Sequence, residues 1–493
     1  MFLLKFFIDK DRKSIKKRGS MKRQLLSIKK GPFLYVIILL LLVASVWIVV
    51  SKMTNQQDIS KDTNKEETIL QTKTRQKEVR IRTPEEFGAD GFDKKFDTEA
   101  LQKAIDNSDT LILKSGATYI IDQPLVSKHS IKIESDNKGQ KVPVILQMSK
   151  NSAFILNNIP ITSTVVSKRI SINEPSITLA STKGMQVGDL LHFTSDKLWY
   201  WDNRGYLKKG ELHKIIKIKG NMVYLDRSTS EDYLVGEGEV VTAIAYPDVS
   251  LKLSNISFMH PKPYKTAMLK VNYTSNTEME NVSVANSKHI GIFLNSTFHT
   301  MIRDSYINLG TTKDINTGYG IQDYGGSGTL ITGSIFKHVR RGVDFSGKTP
   351  SRFGKVTNSK AYGDKKGTLA SGNSGFGTHS TAENITFENN YVENFNYGFL
   401  SRGNNIIVQG NTLEGFSKNF MAISYGGSVK VLDNTYKSID ESGLESFLTV
   451  YKTYQGSLTV TGNTVIGQKG SFINGDISHL EQFFVKGNSV KQP

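Results

Sequence analysis

The chain has 493 residues, no cysteine and a formal net charge of +17 at pH 7. The lack of cysteine excludes disulfide bonds, a lipoprotein anchor and thiolate metal sites. Residues 1–31 alone hold 11 Lys/Arg and 2 acidic residues. Because this tail carries +9 of the excess charge and residues 51–82 carry a further +3, the remainder is only mildly basic and no nucleic-acid partner is predicted.

The first 82 residues are predicted to lie outside any folded core. Residues 1–32 form a basic cytoplasmic tail, and residues 33–50 are an uncharged apolar run long enough for one transmembrane helix. A cleaved signal peptide is the alternative, although the run is long for one. Residues 51–82 are polar and predict a disordered stalk. The membrane is therefore one expected partner, with the C-terminal part outside a bacterial cell.

Residues 83–160 are predicted to form an N-terminal cap and the first coils of a solenoid. Asp97 or Thr98 can cap a short helix. The apolar stripe of this helix, which includes Leu101 and Ile105, can cover the open end of a sheet.

Residues 161–247 interrupt the pattern of the chain and predict a small β insertion. Two of the three tryptophans of the chain, Trp199 and Trp201, lie in it. They either pack the insertion or form a rim on which sugar rings stack, since an indole is a large flat apolar surface.

Residues 248–493 repeat at intervals of 21 to 31 residues, which is typical of a solenoid. Apolar residues alternate with period two, so the repeats are strands. The repeated mark after the first strand of each unit is Asn281, Asp304, Gly333, Asn358, Asn389, Gly410, Asp433, Gly462 and Gly487. A second column predicts a ladder of stacked amides, formed by Asn390, Asn411, Asn434, Asn463 and Asn488.

The segment before the repeats resembles the start of the pectate-lyase superfamily. It reads Phe-Gly-Ala-Asp-Gly from Phe87 and Asp-Thr-Glu-Ala-Leu-Gln-Lys-Ala-Ile from Asp97. The resemblance implies a right-handed parallel β-helix and a polysaccharide-related role, as in phage tailspike and appendage depolymerases. The catalytic signatures of polygalacturonases, alginate epimerases and pectate lyases are absent, so no site residue transfers. The predicted fold is therefore an all-β, right-handed parallel β-helix with a short capping helix, a β insertion and one transmembrane helix.

Strand alternation sorts the second strand of each repeat into inward and outward columns. The predicted core column is Ile292, Ile321, Val343, Phe376 and Phe399. One outward column is Asn295, Tyr324, Ser346, His379, Arg402 and Tyr425, and the other is Phe293, Gln322, Asp344, Gly377, Leu400 and Ile423. This register places His379 over Arg402 with Tyr425 next, and Asp344 diagonal to His379 at about 7–8 Å.

The outward residues predict acid–base chemistry. Arg402 would hold the pKa of His379 down and leave a neutral imidazole, as a general base requires. Arg402 could also neutralise a carboxylate or phosphate of the substrate, while Tyr425 or Tyr324 could protonate a leaving oxygen. This set suits β-elimination of a uronate polymer.

Hydrolysis would instead need two carboxylates about 5–9.5 Å apart. Asp344 and Glu383 are candidates, while Asp323 is predicted to point inward. Gln322 and Arg341 complete the expected substrate contacts, together with Tyr324, Glu383, Trp199 and Trp201. Extra residues at 311–317, 348–352 and 363–373 flank this stretch, as expected of a binding face.

The expected function is that of a polysaccharide lyase or glycoside hydrolase acting on a surface polysaccharide. A uronate C5-epimerase and a non-catalytic glycan-binding or assembly protein are the alternatives. No cofactor is expected; a Ca²⁺ ion bound with Asp344 is an open alternative, but no cluster of acids demands it. The sequence does not determine an oligomeric state.

Overall fold

A computed structural model describes residues 78–199, 207–310, 317–364, 372–437, 445–467 and 470–491. The predicted tail, membrane helix and most of the stalk therefore lie outside the described residues, as does Trp201. Among the residues described, no helix combines the length and apolar character that crossing a membrane requires.

The N-terminal part contains the two short helices and the first strands. A 3₁₀ helix spans Pro84–Phe87, and helix α1 spans Thr98–Asp106. Helix α1 buries Leu101, Ala104 and Ile105 in the main apolar core. The strands of this part are β1 (Ile81–Arg82), β2 (Thr110–Leu113), β3 (Thr118–Ile121), β4 (Leu125–Ser127), β5 (Ile131–Ser135), β6 (Val144–Gln147) and β7 (Phe154–Asn157).

An antiparallel sheet, here called the insertion sheet, follows β7. Its strands are β8 (Thr162–Val165), β9 (Ser176–Thr178), β10 (Leu190–Leu198), β11 (Lys208–Lys219), β12 (Met222–Leu225) and β13 (Val241–Tyr246). They are ordered β8-β13-β10-β11-β12-β9 and enclose an apolar core of their own. The solenoid continues across the insertion, because β7 pairs in parallel with β15 beyond it.

The remaining strands form the coils. They are β14 (Leu251–Tyr264), β15 (Ala267–Asn272), β16 (Glu278–Ser287), β17 (Ile290–Asn295), β18 (Met301–Arg303), β19 (Tyr306–Asn308), β20 (Tyr319–Tyr324), β21 (Leu330–Thr332), β22 (Ile335–Lys337), β23 (Arg341–Ser346), β24 (Ser351–Arg352), β25 (Lys355–Thr357), β26 (Lys360–Tyr362), β27 (Ser374–Thr378), β28 (Ala382–Glu388), β29 (Tyr391–Glu393), β30 (Tyr397–Ser401), β31 (Asn404–Gln409), β32 (Thr412–Glu414), β33 (Asn419–Ile423), β34 (Ser428–Leu432), β35 (Thr435–Lys437), β36 (Ser446–Val450), β37 (Ser457–Thr461), β38 (Thr464–Ile466), β39 (Ile473–Asn474), β40 (Gln482–Lys486) and β41 (Ser489–Lys491).

The coils stack into parallel sheets, so the predicted parallel β-solenoid is confirmed. Within the described residues, a first sheet of 24 strands carries two of the strands of each typical coil. A second sheet of eleven strands runs β39-β36-β33-β30-β27-β23-β20-β17-β15-β7-β4. The predicted core column is buried between them, with Ile292, Ile321, Val343, Phe376 and Phe399 all fully inaccessible.

The repeated mark of the sequence has a backbone cause. All nine of its positions, from Asn281 to Gly487, have positive φ between 50° and 70°. Only Gly, Asn and Asp visit this left-handed region at low cost, which is why these three residue types alternate there. The mark is the bend that follows the first strand of each coil.

The predicted amide ladder is present along the stack. The Nδ2 of Asn411 donates to the Oδ1 of Asn434 at 3.0 Å and to the carbonyl of Phe387 at 2.9 Å. The same pattern runs from Asn390 to Asn488. A column of serine hydroxyls continues it upstream, as Ser359 and its predecessors accept from backbone N–H groups. Buried backbone groups at this bend are thereby satisfied.

A column of glycines opens the second-sheet strands and sets how closely coils approach. A Cβ atom on Gly291, Gly320 or Gly342 would lie within 2.5–2.7 Å of a carbonyl oxygen of the next coil. Gly398 faces the carbonyl of Phe420 in the same way. Only glycine permits this contact, so the column is fixed by packing.

Candidate active site

The candidate site lies on the outward face of the second sheet, where β20, β23 and β27 are adjacent. Gln322 pairs in register with Asp344, and Asp344 with Gly377. The predicted columns are therefore correct over these coils. Because Gly377 has no side chain, the carboxylate of Asp344 is open towards the next residue that projects from β27, which is His379.

Asp344 and His379 are directly hydrogen-bonded. The Nδ1 of His379 lies 2.9 Å from Oδ1 and 3.0 Å from Oδ2 of Asp344. The predicted separation of about 7–8 Å is wrong for these two side chains. That distance describes the diagonal between strands, whereas the two side chains lean towards each other across Gly377.

Two further side chains hold the carboxylate. Arg341 forms an ion pair with Asp344 and donates from Nε to the Oγ of Ser374 at 3.1 Å. Gln322 donates from Nε2 to Asp344 at 3.3 Å. Asp344 is fully buried and Arg341 is 4% exposed. Arg341 was predicted to contact substrate at the mouth of the strand, but it lies beneath the site and positions the carboxylate.

The charges around Asp344 and His379, here called the dyad, set the protonation states of both side chains. Burial alone would raise the pKa of Asp344, but His379 and Arg341 outweigh it and hold the pKa well below its ordinary range. The pKa of His379 is lowered by burial, with help from the charges of Arg341 and Arg402 and against the pull of Asp344. At neutral pH the imidazole is therefore neutral and the carboxylate ionised. Since Nδ1 donates to Asp344, the lone pair is on Nε2.

The imidazole lines a small pocket of about 170 Å³. His379 is 20% exposed there, whereas its partner Asp344 is sealed below. The wall is formed by Leu207, Tyr319, Gln322, Tyr324, Ser346, Gly347, His379 and Thr381. The ring of Tyr319 meets that of His379 edge-on, with centroids 6.2 Å apart. Two phenols and one imidazole thus face the same space.

One wall of this pocket belongs to the insertion sheet. Leu207 precedes β11, and the N–H of Lys208 donates to the carbonyl of Lys348 at 2.7 Å. Gly210 packs closely on the turn that follows β23. A Cβ atom added to Gly210 would lie 2.5 Å from Cγ2 of Thr349 in that turn. The insertion is therefore held against the coil that carries Asp344 and closes one side of the site.

A buried charge cluster fastens this contact. Arg352 is 2% exposed and pairs with Glu231 of the insertion and with Glu383 of β28, the latter at 2.7 Å. Its Nη1 donates to the carbonyl of Gly210 at 2.6 Å. Burial, together with the nearby carboxylates, raises the pKa of Glu231 to about 7 despite the charge of Arg352.

Glu383 and Trp199 belong to this cluster. Glu383 projects from the first sheet, pairs with Arg352 and does not line the pocket of His379, so its predicted role beside Asp344 is not supported. Trp199 lies with its ring 5.9 Å from the guanidinium carbon of Arg352. It therefore contacts the insertion–coil junction. Asp323, predicted to point inward, is 1% exposed.

Arg402 and Tyr425 line a neighbouring pocket. The register predicted for this coil is wrong by one residue, because Leu400 pairs with Ala422 and Ser424 continues the column beyond Arg402. The cause is Phe420, which lies where earlier coils have glycine. Tyr425 falls one position later, at φ 61°. It does not share the pocket of the dyad, so its predicted role beside His379 is not supported.

The sequence did not predict several residues of the site, among them Tyr319, Ser374 and Leu207. Tyr319 and Ser374 are the neighbours of Arg341 on the two adjacent strands, at the position just before the column of glycines. Alternation counted from the core residues does not place this position on the outward face. Leu207 gave no signal at all, because its place depends on how the insertion docks. Within the described residues, no group of three or more His, Asp or Glu side chains could hold a metal ion. The oxygens of Asp344 are already engaged by donors.

The comparisons with known proteins concern the fold. No family model and no curated protein matches the chain. Among solved structures, the tailspike gp61 of Pseudomonas phage phi297 is similar at a TM-score of 0.67 and 17% identity, covering 84% of this chain and 75% of that one. The gp54 tailspike of Acinetobacter baumannii bacteriophage AP22, in complex with a capsular saccharide, gives 0.57 and 18%, covering 81% and 69%.

A third similar structure is the A-module of the mannuronan C-5 epimerase AlgE4 of Azotobacter vinelandii. Its TM-score is 0.51 at 13% identity, covering 83% of this chain and 96% of that module. All three are right-handed parallel β-helices of the pectate-lyase type, so the resemblance predicted from residues 87–105 is confirmed for the fold. At these identities the likeness defines the architecture and assigns no chemistry.

Proposed function

We propose that this protein is an enzyme that acts on a polysaccharide, with His379 as its general base. The observation that carries the proposal is the Asp344–His379 dyad at the wall of an open pocket. Asp344 fixes the tautomer and orientation of the imidazole, and Arg341 keeps the carboxylate ionised. A buried carboxylate behind a partly exposed histidine is a recurrent arrangement for proton abstraction.

The reaction that this pocket favours is β-elimination rather than hydrolysis. Hydrolysis of a glycosidic bond uses two carboxylates that both reach the substrate. The residues lining the described pocket include no carboxylate, and Asp344 lies beneath His379. Proton removal needs only one base and a proton donor, which His379 and a tyrosine supply.

Elimination can be written through these groups. The Nε2 of His379 takes the proton from the sugar carbon next to the carboxylate of a uronate. The electron pair of that C–H bond forms the C4–C5 double bond, and the bond from C4 to the glycosidic oxygen breaks. Tyr324 or Tyr319, which line the same pocket, donates a proton to the departing oxygen. The product is an unsaturated sugar and a new chain end.

Epimerisation at C5 is the second candidate. It begins with the same proton removal but returns a proton to the opposite face, without cleavage. The presence of two phenols as well as the imidazole in one pocket supplies two distinct proton carriers, which favours this alternative. The structural similarity to a tailspike bound to capsular saccharide and to a mannuronan epimerase supports a carbohydrate substrate in either case.

The products separate these possibilities. The full-length protein is incubated with acidic capsular and exopolysaccharides, and ultraviolet absorbance, reducing ends and C5 configuration are measured. Elimination gives ultraviolet absorbance together with new reducing ends, whereas hydrolysis gives new reducing ends without absorbance. Epimerisation gives neither of these but changes the C5 configuration seen in the NMR spectrum. A pure binding protein changes none of them, which would contradict the proposal.

The matched pair of variants is His379→Ala and His338→Ala. His338 also contacts an aspartate, Asp364 at 2.8 Å, but its side chain is 48% exposed and outside the pocket. We expect turnover to vanish in the first variant and to persist in the second. Equal activity in both would remove His379 from the mechanism.

The proposal also places the folded part outside the cell. Its support is the uncharged run at 33–50 and the basic residues before it. Membrane fractionation, followed by proteolysis of intact cells, tests this placement. Recovery of the full chain in the soluble cytoplasmic fraction would contradict it.

A further inference from the structure

A second, larger pocket lies beside the dyad on the same face of the second sheet. Its volume is about 530 Å³, against about 170 Å³ for the pocket of His379. It is lined by Gly372, Tyr397, Leu400, Ser401, Arg402, Ala422, Ser424, Tyr425, Tyr451, Lys452 and Thr453. The mechanism proposed above does not use it.

The lining has a definite chemical character. It contains two cations, Arg402 and Lys452, and no acidic side chain among the described residues that form it. Glu445 is exposed and does not line the pocket, although its charge acts on the phenol of Tyr397. Three tyrosines provide flat apolar faces with polar tips, the kind of surface on which sugar rings pack.

Tyr397 keeps its phenolic proton. Burial, with the hydrogen-bonded Tyr451, raises the pKa of Tyr397 to about 12. Tyr397 therefore remains a neutral hydroxyl at any physiological pH, able to donate a hydrogen bond but not to repel an anion. Around a negatively charged ligand, the pocket offers positive charge and neutral donors.

The two pockets are consecutive along the stack of coils. The strands β27, β30, β33 and β36 are adjacent, and they place His379, Arg402, Ser424 and Tyr451 on successive coils. At about 4.8 Å per strand, Lys452 lies roughly 14 Å from the level of the dyad. Arg402 is near enough to help lower the pKa of His379. A linear polymer lying along the helix axis would cross both pockets.

We propose that this second pocket is a subsite for a sugar residue that carries a negative charge, in the same polymer whose neighbouring unit occupies the dyad pocket. The charge is a carboxylate or a phosphate, which a guanidinium and an ammonium bind by charge-assisted hydrogen bonds. The inference deepens the proposed function, because it names the substrate as a polyanionic polysaccharide with charge beyond the reacting unit.

The test measures retention of the full-length protein on immobilised polymers. The probes are polymannuronate, polygalacturonate and a poly(glycerol phosphate), with the carboxyl-reduced forms of the two uronans as neutral counterparts. We expect at least one acidic probe to be retained about tenfold or more strongly than its neutral form or than a neutral glucan. Retention should weaken as salt screens the contact.

The matched variants are Arg402→Gln with Lys452→Gln, and Lys360→Gln with Lys430→Gln. The second pair removes the same charge from exposed positions on the first sheet. The first pair should lose the retention by about tenfold or more, and the second pair should keep it. Any of three results would overturn the proposal. Neutral polymers are retained in preference to acidic ones, no acidic probe is retained, or both double variants retain the acidic probes equally.

The catalytic proposal can be refuted independently of the subsite proposal. His379→Ala is expected to retain acidic polymers while losing turnover, because it leaves the second pocket intact. If His379→Ala keeps its turnover, the dyad is not catalytic, and the retention of the double variants still decides the subsite.

Discussion

Asp344→Asn tests the central interaction of the site with the smallest change in shape. The substitution replaces a fully buried carboxylate that pairs with Arg341 and accepts from His379 and Gln322. An amide cannot neutralise Arg341, whose side chain is 5% exposed. Leaving such a charge unpaired costs about 3–5 kcal/mol of stability.

The same substitution also removes the orientation of the base. An asparagine can donate to Nδ1 of His379, which would put the proton on Nε2 and abolish the lone pair facing the pocket. In a comparable dyad the wrong tautomer costs about 10⁴ in turnover. We therefore expect kcat to fall about 10³- to 10⁴-fold on a substrate identified by the product assays, in protein shown by thermal melting and circular dichroism to be folded.

The control is Asp323→Asn, on the strand next to Asp344. Asp323 is also buried, and burial raises its pKa to about 6. It accepts from the N–H of Gly326 at 2.8 Å and from Ser351 at 2.9 Å, away from the pocket. Its variant should lose some stability and keep activity. If Asp344→Asn retains turnover within a few fold, or if both variants lose it equally, the dyad does not act as described.

Three further predictions concern pH and packing. Because the pKa of His379 is lowered and the base acts when neutral, kcat/KM should fall with decreasing pH only below about 6.5, and an acid limb above that value would contradict this. Glu231 has its pKa raised to about 7 beside Arg352, so its contribution to stability declines as pH rises from about 4.5 to 7. Glu231→Gln should flatten that part of the melting-temperature profile, and an unchanged slope would count against it. Asn411→Ala should cost roughly 3 kcal/mol by leaving buried ladder partners unsatisfied, whereas Asn157→Ala, at the exposed end of β7, should change stability by about 0.5 kcal/mol or less, as denaturant melts would show.

The sequence predicted the parts of the fold that depend on local backbone chemistry. A left-handed bend admits Gly, Asn and Asp, so the bends at Asn281 and Gly487 and those between them could be marked without coordinates. The amide ladder followed from the recurrence of asparagine beside that bend. Inward and outward columns followed from period-two alternation, which correctly placed Val343 in the core and Asp344 on the outer face.

The predicted register was wrong where the glycine that marks the start of a second-sheet strand was missing. The glycine near the start of β17, β20, β23, β27 and β30 is replaced in β33 by Phe420, so Tyr425 was aligned with Arg402 although Ser424 follows Arg402 in the column. Alternation has no means of detecting such a shift, because a slip of one residue is resolved only by pairing with the neighbouring coil.

The sequence by itself determined the architecture and the face on which the polar residues lie, because bends and strand alternation are properties of a few consecutive residues. Only the tertiary structure decided which of these residues meet. It brought His379 onto Asp344 across Gly377, buried Arg341 beneath them, and carried Leu207 to the pocket wall. Side-chain reach and the docking of the insertion depend on contacts between residues far apart in the chain, and no local pattern encodes them.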